Sequence, residues 1–320
     1  MAQVSEFDLI RDYFRWGGSP DSVRVGVGDD AAILRVPQGC ELVVSVDTFN
    51  AGIHFPHETP PHAIGYKALA VNLSDLAAMG ATPAWFTLAI SLPQADTHWV
   101  AELARGMREL AQQHNIFLVG GDTTRGALSI TVQVMGFVPC GAGLLRSHAQ
   151  HGDLIAVSGT LGDAAAGLAV VQQRLQLPTA AADYCVHRLN YPTPRNPLSD
   201  LLLQYAHACM DISDGLVADL EHILRASGVG ARLDRELVPC SAALQLMSEA
   251  QRLNFALSGG DDYELLFTLP SSALPVLTRA AGSLGVRITV IGQVDEMQQG
   301  LLINHRFSDG RRGYEHFSSE

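Results

Sequence analysis

Three short stretches share one grammar: Val27-Gly28-Asp29-Asp30, Val119-Gly120-Gly121-Asp122 and Ser258-Gly259-Gly260-Asp261-Asp262 each set glycine and aspartate at the end of an apolar, β-like run. Further aspartates stand where a turn or a cap explains them poorly. Asp47 closes the run through Ser45 and Val46, Asp75 sits inside an apolar, helix-like segment, and Asp211 and Asp214 flank a helix start. One aspartate alone reads as a turn or an N-cap, but Asp30, Asp47, Asp75, Asp122, Asp211 and Asp214 put six carboxylates at element ends, where sites form. Gathered in one cleft they would repel one another unless cations neutralised them. Balance calls for about three divalent ions, and hard oxygen ligands select Mg²⁺ or Ca²⁺. The adjoining glycines allow close backbone approach to phosphate and leave N–H groups to donate. The pattern predicts polyphosphate held through metals.

Composition narrows the chemistry. The 320 residues carry 33 acidic and 21 basic side chains, a net charge of −12, and Lys67 is the only lysine. Its context, Gly65-Tyr66-Lys67-Ala68, holds no GK[ST] phosphate loop, which excludes a Walker-type nucleotide site. The acidity argues against a nucleic-acid partner, whose backbone needs a basic face.

Rival motifs fail on context. Gly26-Val27-Gly28-Asp29-Asp30-Ala31 matches a dinucleotide fingerprint, but two carboxylates would sit where pyrophosphate belongs and Pro37 ends the helix that should follow. His57 and His62 are spaced one residue too far apart for a zincin pair, with Pro60 and Pro61 between them. No GxSxG nucleophile elbow occurs. Among the histidines, His54, shortly after Asp47, is the one placed to meet a ligand.

Length and 47% hydrophobic content predict two domains, and the order of strand- and helix-like segments makes both α/β, 1–140 and 150–320, with the boundary near residues 139 to 152, where Pro139-Cys140-Gly141-Ala142-Gly143 interrupts the pattern. In the first, Ser5 caps a helix to Phe14, Ala31–Val36 and Leu42–Val46 read as a hairpin, and a helix opens at Thr59-Pro60-Pro61 and closes at Gly80. Strands follow at 84–92, 116–119 and 128–138, with a helix over 97–113. In the second, strand 154–157 leads into a helix, strand 209–212 leads to a helix capped by Ser213 and stopped by Gly228, and helix 273–284 precedes strands at 286–291 and 301–304. Five widely spaced cysteines without a CxxC pair fit a reducing compartment. Charges near the N-terminus break any signal-peptide core, and Gly80, Pro83 and Pro93 break the longest uncharged stretch, so no membrane span and a cytoplasmic location are expected.

Taken in order, Gly26-Val27-Gly28-Asp29-Asp30-Ala31-Ala32, Ser45-Val46-Asp47-Thr48, the run Lys67 to Ala81, Gly120-Gly121-Asp122-Thr123-Thr124-Arg125-Gly126, Asp211-Ile212-Ser213-Asp214-Gly215-Leu216 and Ser258 to Leu265 strongly resemble the thiamine-monophosphate kinase family over nearly the full length. Gly313-Tyr314-Glu315-His316-Phe317 resembles that family's C-terminal signature. The resemblance implies the fold of aminoimidazole ribonucleotide synthetase: an N-terminal mixed-sheet domain that dimerises through its sheet and a C-terminal α/β domain. It implies conversion of thiamine monophosphate to thiamine diphosphate with ATP and Mg²⁺, in a homodimer. Position by position it implies metal ligands at Asp30, Ser45, Val46 through its carbonyl, Asp47, Asp75, Asp122, Asp211 and Asp214, nucleotide contacts at Gly121, Asp122, Arg146 and Ser213, and substrate contacts at His54, Asp261 and Tyr314. Val46 and Asp261 stand where the family frequently has Thr and Glu.

That chemistry agrees with the residues. A phosphate monoester has a second pKa near 6, so at neutral pH the acceptor is already mostly a dianion and needs no strong general base. The obstacle is repulsion between two anions, which bridging cations relieve while aligning them for in-line attack. Direct transfer without a phosphoenzyme is expected. Tyr314 facing the thiazolium ring would add about 0.5–2 kcal/mol of cation-π attraction.

Overall fold

The computed structural model describes residues 5–17, 20–296, 300–304 and 306–307. The chain divides into two compact units, Met1–Leu76 with Ala81–Ala142, and Ala77–Gly80 with Gly143–Glu320.

In the first unit, Ser5 caps α1 (Glu6–Leu9) in a reciprocal capping box with Asp8, and the helix continues as a π-turn over Ile10–Phe14. Strands β1 (Val23–Val25) and β2 (Ile33–Leu34) pair with each other. The hairpin expected across Pro37-Gln38-Gly39 therefore does not form. β3 (Cys40–Asn50) pairs instead with β6 (Ser129–Pro139) in an unbroken antiparallel register of eleven residues, a ladder that the two-residue β2 cannot offer.

The four-stranded sheet runs β3-β6-β4-β5, with β4 (Thr82–Leu92) antiparallel to β6 and parallel to β5 (Phe117–Arg125). A parallel pair requires a crossover. Helix α3 (Thr97–Gln113), capped by the Asp96 side chain on the amides of His98 and Trp99, makes it. β5 runs longer than expected and carries Gly120-Gly121-Asp122 inside the strand. Helix α2 (Pro61–Ala78) is apolar nearly all round and buries Leu69, Leu73 and Leu76 completely. Gly80, at φ 72°, ends it as expected, with the Ala81 amide donating back to the Leu76 carbonyl.

The β3–β6 ladder sorts side chains by face. Ser45, Asp47 and Phe49 lie opposite the buried Val134, Val132 and Ile130, whereas Leu42, Val44 and Val46 lie opposite Phe137, Met135 and Gln133. Ser45 and Asp47 thus share the covered face. The other face is apolar and open.

The second unit is a seven-stranded sheet ordered β13-β12-β9-β11-β7-β10-β8. Its strands are β7 (Leu154–Ser158), β8 (Ala208–Asp211), β9 (Gly230–Leu233), β10 (Leu265–Leu269), β11 (Ile288–Asp295), β12 (Leu301–Ile303) and β13 (Arg306–Phe307), antiparallel except for β12 beside β9. β7 and β10 are apolar on both faces because both are covered. On one side Val157 and Leu266 join Leu220 and Ile223 of α7 (Leu216–Ser227). On the other, Ala156 and Phe267 join Leu202 of α6 (Ser199–Tyr205) and Leu277 of α9 (Leu274–Ser283). Helices α4 (Asp163–Val171), α5 (Thr179–Asn190) and α8 (Glu249–Ser258) complete the unit. The apolar run before Gly259 is therefore helical, not β-like.

Candidate active site

In the first unit, β3 and α2 bring three nominated ligands together. Ser45 Oγ donates to Asp75 Oδ2 at 2.6 Å. Burial, and secondarily the charge of Asp75, pushes Asp47 up to about 6. Two carboxylates and a hydroxyl held on a covered face form an all-oxygen donor set that gains from a divalent cation. The Val46 side chain points to the opposite face, 56% exposed, leaving only its backbone for a ligand.

Asp30, Gly121 and Asp122 border one cleft of about 530 Å³, whose apolar wall includes Phe7, Ile10 and Phe14. Gly121 can only be glycine, since a Cβ there would strike the Leu88 carbonyl across the β4–β5 pair. His54 lies in the turn after β3, its ring stacked on Phe49, and its Nδ1 accepts the Asn50 amide at 3.0 Å. In neutral His54 the proton therefore sits on Nε2, making that nitrogen a donor.

In the second unit, Asp211 ends β8 and is buried, while Ser213 and Asp214 lie on the turn that follows. Ser213 does not cap α7. Gly215 holds the cap position, and Asp219, one turn inside the helix, reaches back so that Oδ2 accepts the amides of Ser213, Asp214 and Gly215 at 3.1 Å each. Burial first, then Asp214, pushes Asp219 up to about 7.

The loop from Ser258 to Glu264 docks on the same turn. Asp261 N–H donates to the Ser213 carbonyl and Tyr263 N–H to the Ile212 carbonyl, while Ile212 N–H donates to Glu264 O. Asp262 accepts the amides of Gly162 at 2.6 Å and Ala164 at 3.2 Å, so a distant loop caps α4. Glu264 is 1% exposed and accepts from Ser158 Oγ at 2.5 Å, Arg188 Nη2 at 3.0 Å and Arg195 Nε at 2.6 Å. Asp262 and Glu264 escaped the sequence reading because their partners lie 98 to 106 residues away in Gly162, Ala164 and Ser158. Asp219 was hidden by a local choice, its carboxylate reaching back four to six residues to the helix start that Ser213 was expected to cap.

Arg146 is an exposed residue whose carbonyl accepts Ser227 Oγ at 2.8 Å. Tyr314 lies outside the described residues. Among the described residues, no three His, Cys, Asp or Glu side chains form a group able to hold a metal by themselves. The Ser45–Asp75 grouping draws on a hydroxyl for its third donor.

Residues 28–138 match the family model described as AIR synthase related protein, N-terminal domain, and residues 150–303 match the corresponding C-terminal domain. The thiamine-monophosphate kinase of Escherichia coli strain K12 is 47% identical over 323 residues, 98% of each chain. The crystal structure of thiamine-monophosphate kinase from Stenotrophomonas maltophilia K279a superposes with a TM-score of 0.87 at 45% identity, covering 96% of this chain and 98% of that one. The structure of AaThiL complexed with AMPPCP and TMP superposes at 0.80 with 31% identity, over 97% and 96% of the two chains.

Proposed function

The chain belongs to the AIR synthase related proteins and, among them, to the thiamine-monophosphate kinases, and we propose that it transfers the γ-phosphoryl group of ATP to thiamine monophosphate, giving thiamine diphosphate and ADP. End-to-end identity of 47% to a kinase of that name carries this reading. The neighbour holding AMPPCP, an ATP analogue, together with TMP supports the same substrate pair.

The donor set fits magnesium. Asp30, Ser45, Asp47, Asp75, Asp122 and the Val46 carbonyl are assigned as magnesium ligands in the first unit, and, taken separately, Asp211 and Asp214 are assigned as magnesium ligands in the second. Bound magnesium supplies the positive charge that lets two phosphate anions approach. The chain's own groups do the rest. Gly121 permits close backbone approach on the cleft that Asp30 and Asp122 border, and Arg146 and Ser213 are assigned to the nucleotide phosphates. His54, Asp261 and Tyr314 are assigned to thiamine monophosphate. The acceptor phosphate is itself the nucleophile, so transfer is direct and no side chain is phosphorylated.

A cytoplasmic homodimer is part of this reading. Five free cysteines fit a reducing compartment, and no helix among the described residues is long and apolar enough to cross a membrane. The open face of β3 and β6 is the surface we assign to the dimer.

Incubation with Mg-ATP and thiamine monophosphate should yield thiamine diphosphate and ADP in equal amounts. Failure to form either, with ATP turnover supported by an aminoimidazole precursor instead, overturns the assignment.

A further inference from the structure

Two residues in the loop after Ser258 adopt left-handed backbone without being glycine: Asp261 at φ 70° and Tyr263 at φ 51°. Aspartate tolerates that region, but for a bulky aromatic it is an outlier that costs free energy and persists only where the surroundings fix it. Here they do. Asp262 and Glu264 anchor the loop from one side, through the α4 amides and through Arg188, Arg195 and Ser158. The Asp261 and Tyr263 amides pin its backbone to Ser213 and Ile212. The result puts Tyr263 beside Asp261, with the Tyr263 hydroxyl donating to Asp261 Oδ1 at 3.1 Å, Tyr263 itself 9% exposed and Asp261 only half-buried.

Resting on the assignment of Asp261 to thiamine monophosphate, we propose that Tyr263 is a positioning residue for that substrate: its hydroxyl holds the Asp261 carboxylate in the orientation that binds it. A hydrogen bond to one carboxylate oxygen removes rotational freedom from a short side chain before the ligand arrives. Aspartate has one methylene fewer than the glutamate frequent at this position, so its reach is set by the backbone and its angle by the tyrosine. The left-handed conformations are the means by which both side chains come to one side of the loop.

Tyr263→Phe keeps the buried ring and removes only the hydroxyl. It should raise the KM for thiamine monophosphate about tenfold, the scale of a lost hydrogen bond to a charged group. The KM for ATP, the kcat to within about threefold, and the thermal midpoint should hold, as befits loss of ground-state binding alone. Asp261→Asn should raise the same KM, and adding Tyr263→Phe to it should do nothing further, because the tyrosine acts through the carboxylate. An unchanged KM in Tyr263→Phe, a parallel rise in both KM values, or multiplicative effects in the double variant overturns the proposal. Wild-type enzyme assayed alongside separates the two levels: no thiamine diphosphate from wild type sinks the kinase assignment and this inference with it, whereas normal wild-type turnover with an unaltered variant sinks this inference alone.

Discussion

The magnesium proposed at Asp47 would compete with a proton for the same carboxylate. Asp47 is pushed up to about 6 by burial and by Asp75, so below that pH it carries a proton and ligates nothing. Magnesium binding to the substrate-free protein, followed by calorimetry, should weaken progressively as pH falls from 7 to 5, by up to about tenfold per unit below the pKa. An affinity flat across that range removes Asp47 from the ligand set. Asp262 gives a stability test of opposite character. Burial raises it to about 8, far above its unfolded value, so between roughly pH 4 and 8 the folded state keeps a proton the unfolded chain has lost. The contribution of Asp262 to stability falls as pH rises through that window. Urea midpoints should decline from pH 5 to 8 in the wild type and decline less in Asp262→Asn; equal slopes would show that Asp262 is not the group responsible. In the sequence Asp47 stood out as a carboxylate closing an apolar strand, while Asp262 was one of two aspartates after Gly259-Gly260. The sequence could not show which of Asp261 and Asp262 caps a helix, since that is decided by Gly162 and Ala164, about a hundred residues upstream.

Elements form from local rules but take their places by long-range fit. Gly80 and Gly228 stop α2 and α7 as their neighbours dictate, with Gly228 at φ 67°. The expected hairpin failed because its turn was locally plausible while β3 found a full eleven-residue partner in β6. Ser213 failed as a cap for a local reason: Asp219, four to six residues on, accepts three amides from inside the helix, which one hydroxyl cannot. The crossing of α2 and α3 was equally hidden. A Cβ on Gly65 would run into the Leu103 carbonyl, and one on Gly106 into the His62 carbonyl, so each helix meets the other's backbone at a glycine. Because backbone cannot yield as a side chain can, Gly65→Ala or Gly106→Ala should each destabilise the chain by about 1–3 kcal/mol despite the better helix propensity of alanine. Thermal unfolding checks this. A midpoint equal to or above wild type in either variant would mean the helices separate at no cost.

At the scale of the whole molecule, the net charge of −12 and an open apolar face pull in different directions. Charge keeps copies apart, while Leu42, Val44 and Val46, 44%, 47% and 56% exposed, line up on β3 beside Met135 and Phe137 of β6. A monomer rarely leaves such a stripe uncovered. Part of the charge is also set against the proposed magnesium, so the occupied enzyme opposes association less than the bare count suggests. The stripe lies on the side of the ladder away from Ser45 and Asp47, so covering it leaves their face alone. In a two-fold dimer each residue near the axis faces its own copy, and a charge introduced there meets a like charge across the interface. Val44→Glu should therefore convert a dimer into a monomer at micromolar concentration. The exposed position itself tolerates glutamate in the isolated fold, so secondary structure should be kept. Sedimentation equilibrium of the two proteins decides: a monomeric wild type, or a variant that remains dimeric, would place the partner surface elsewhere.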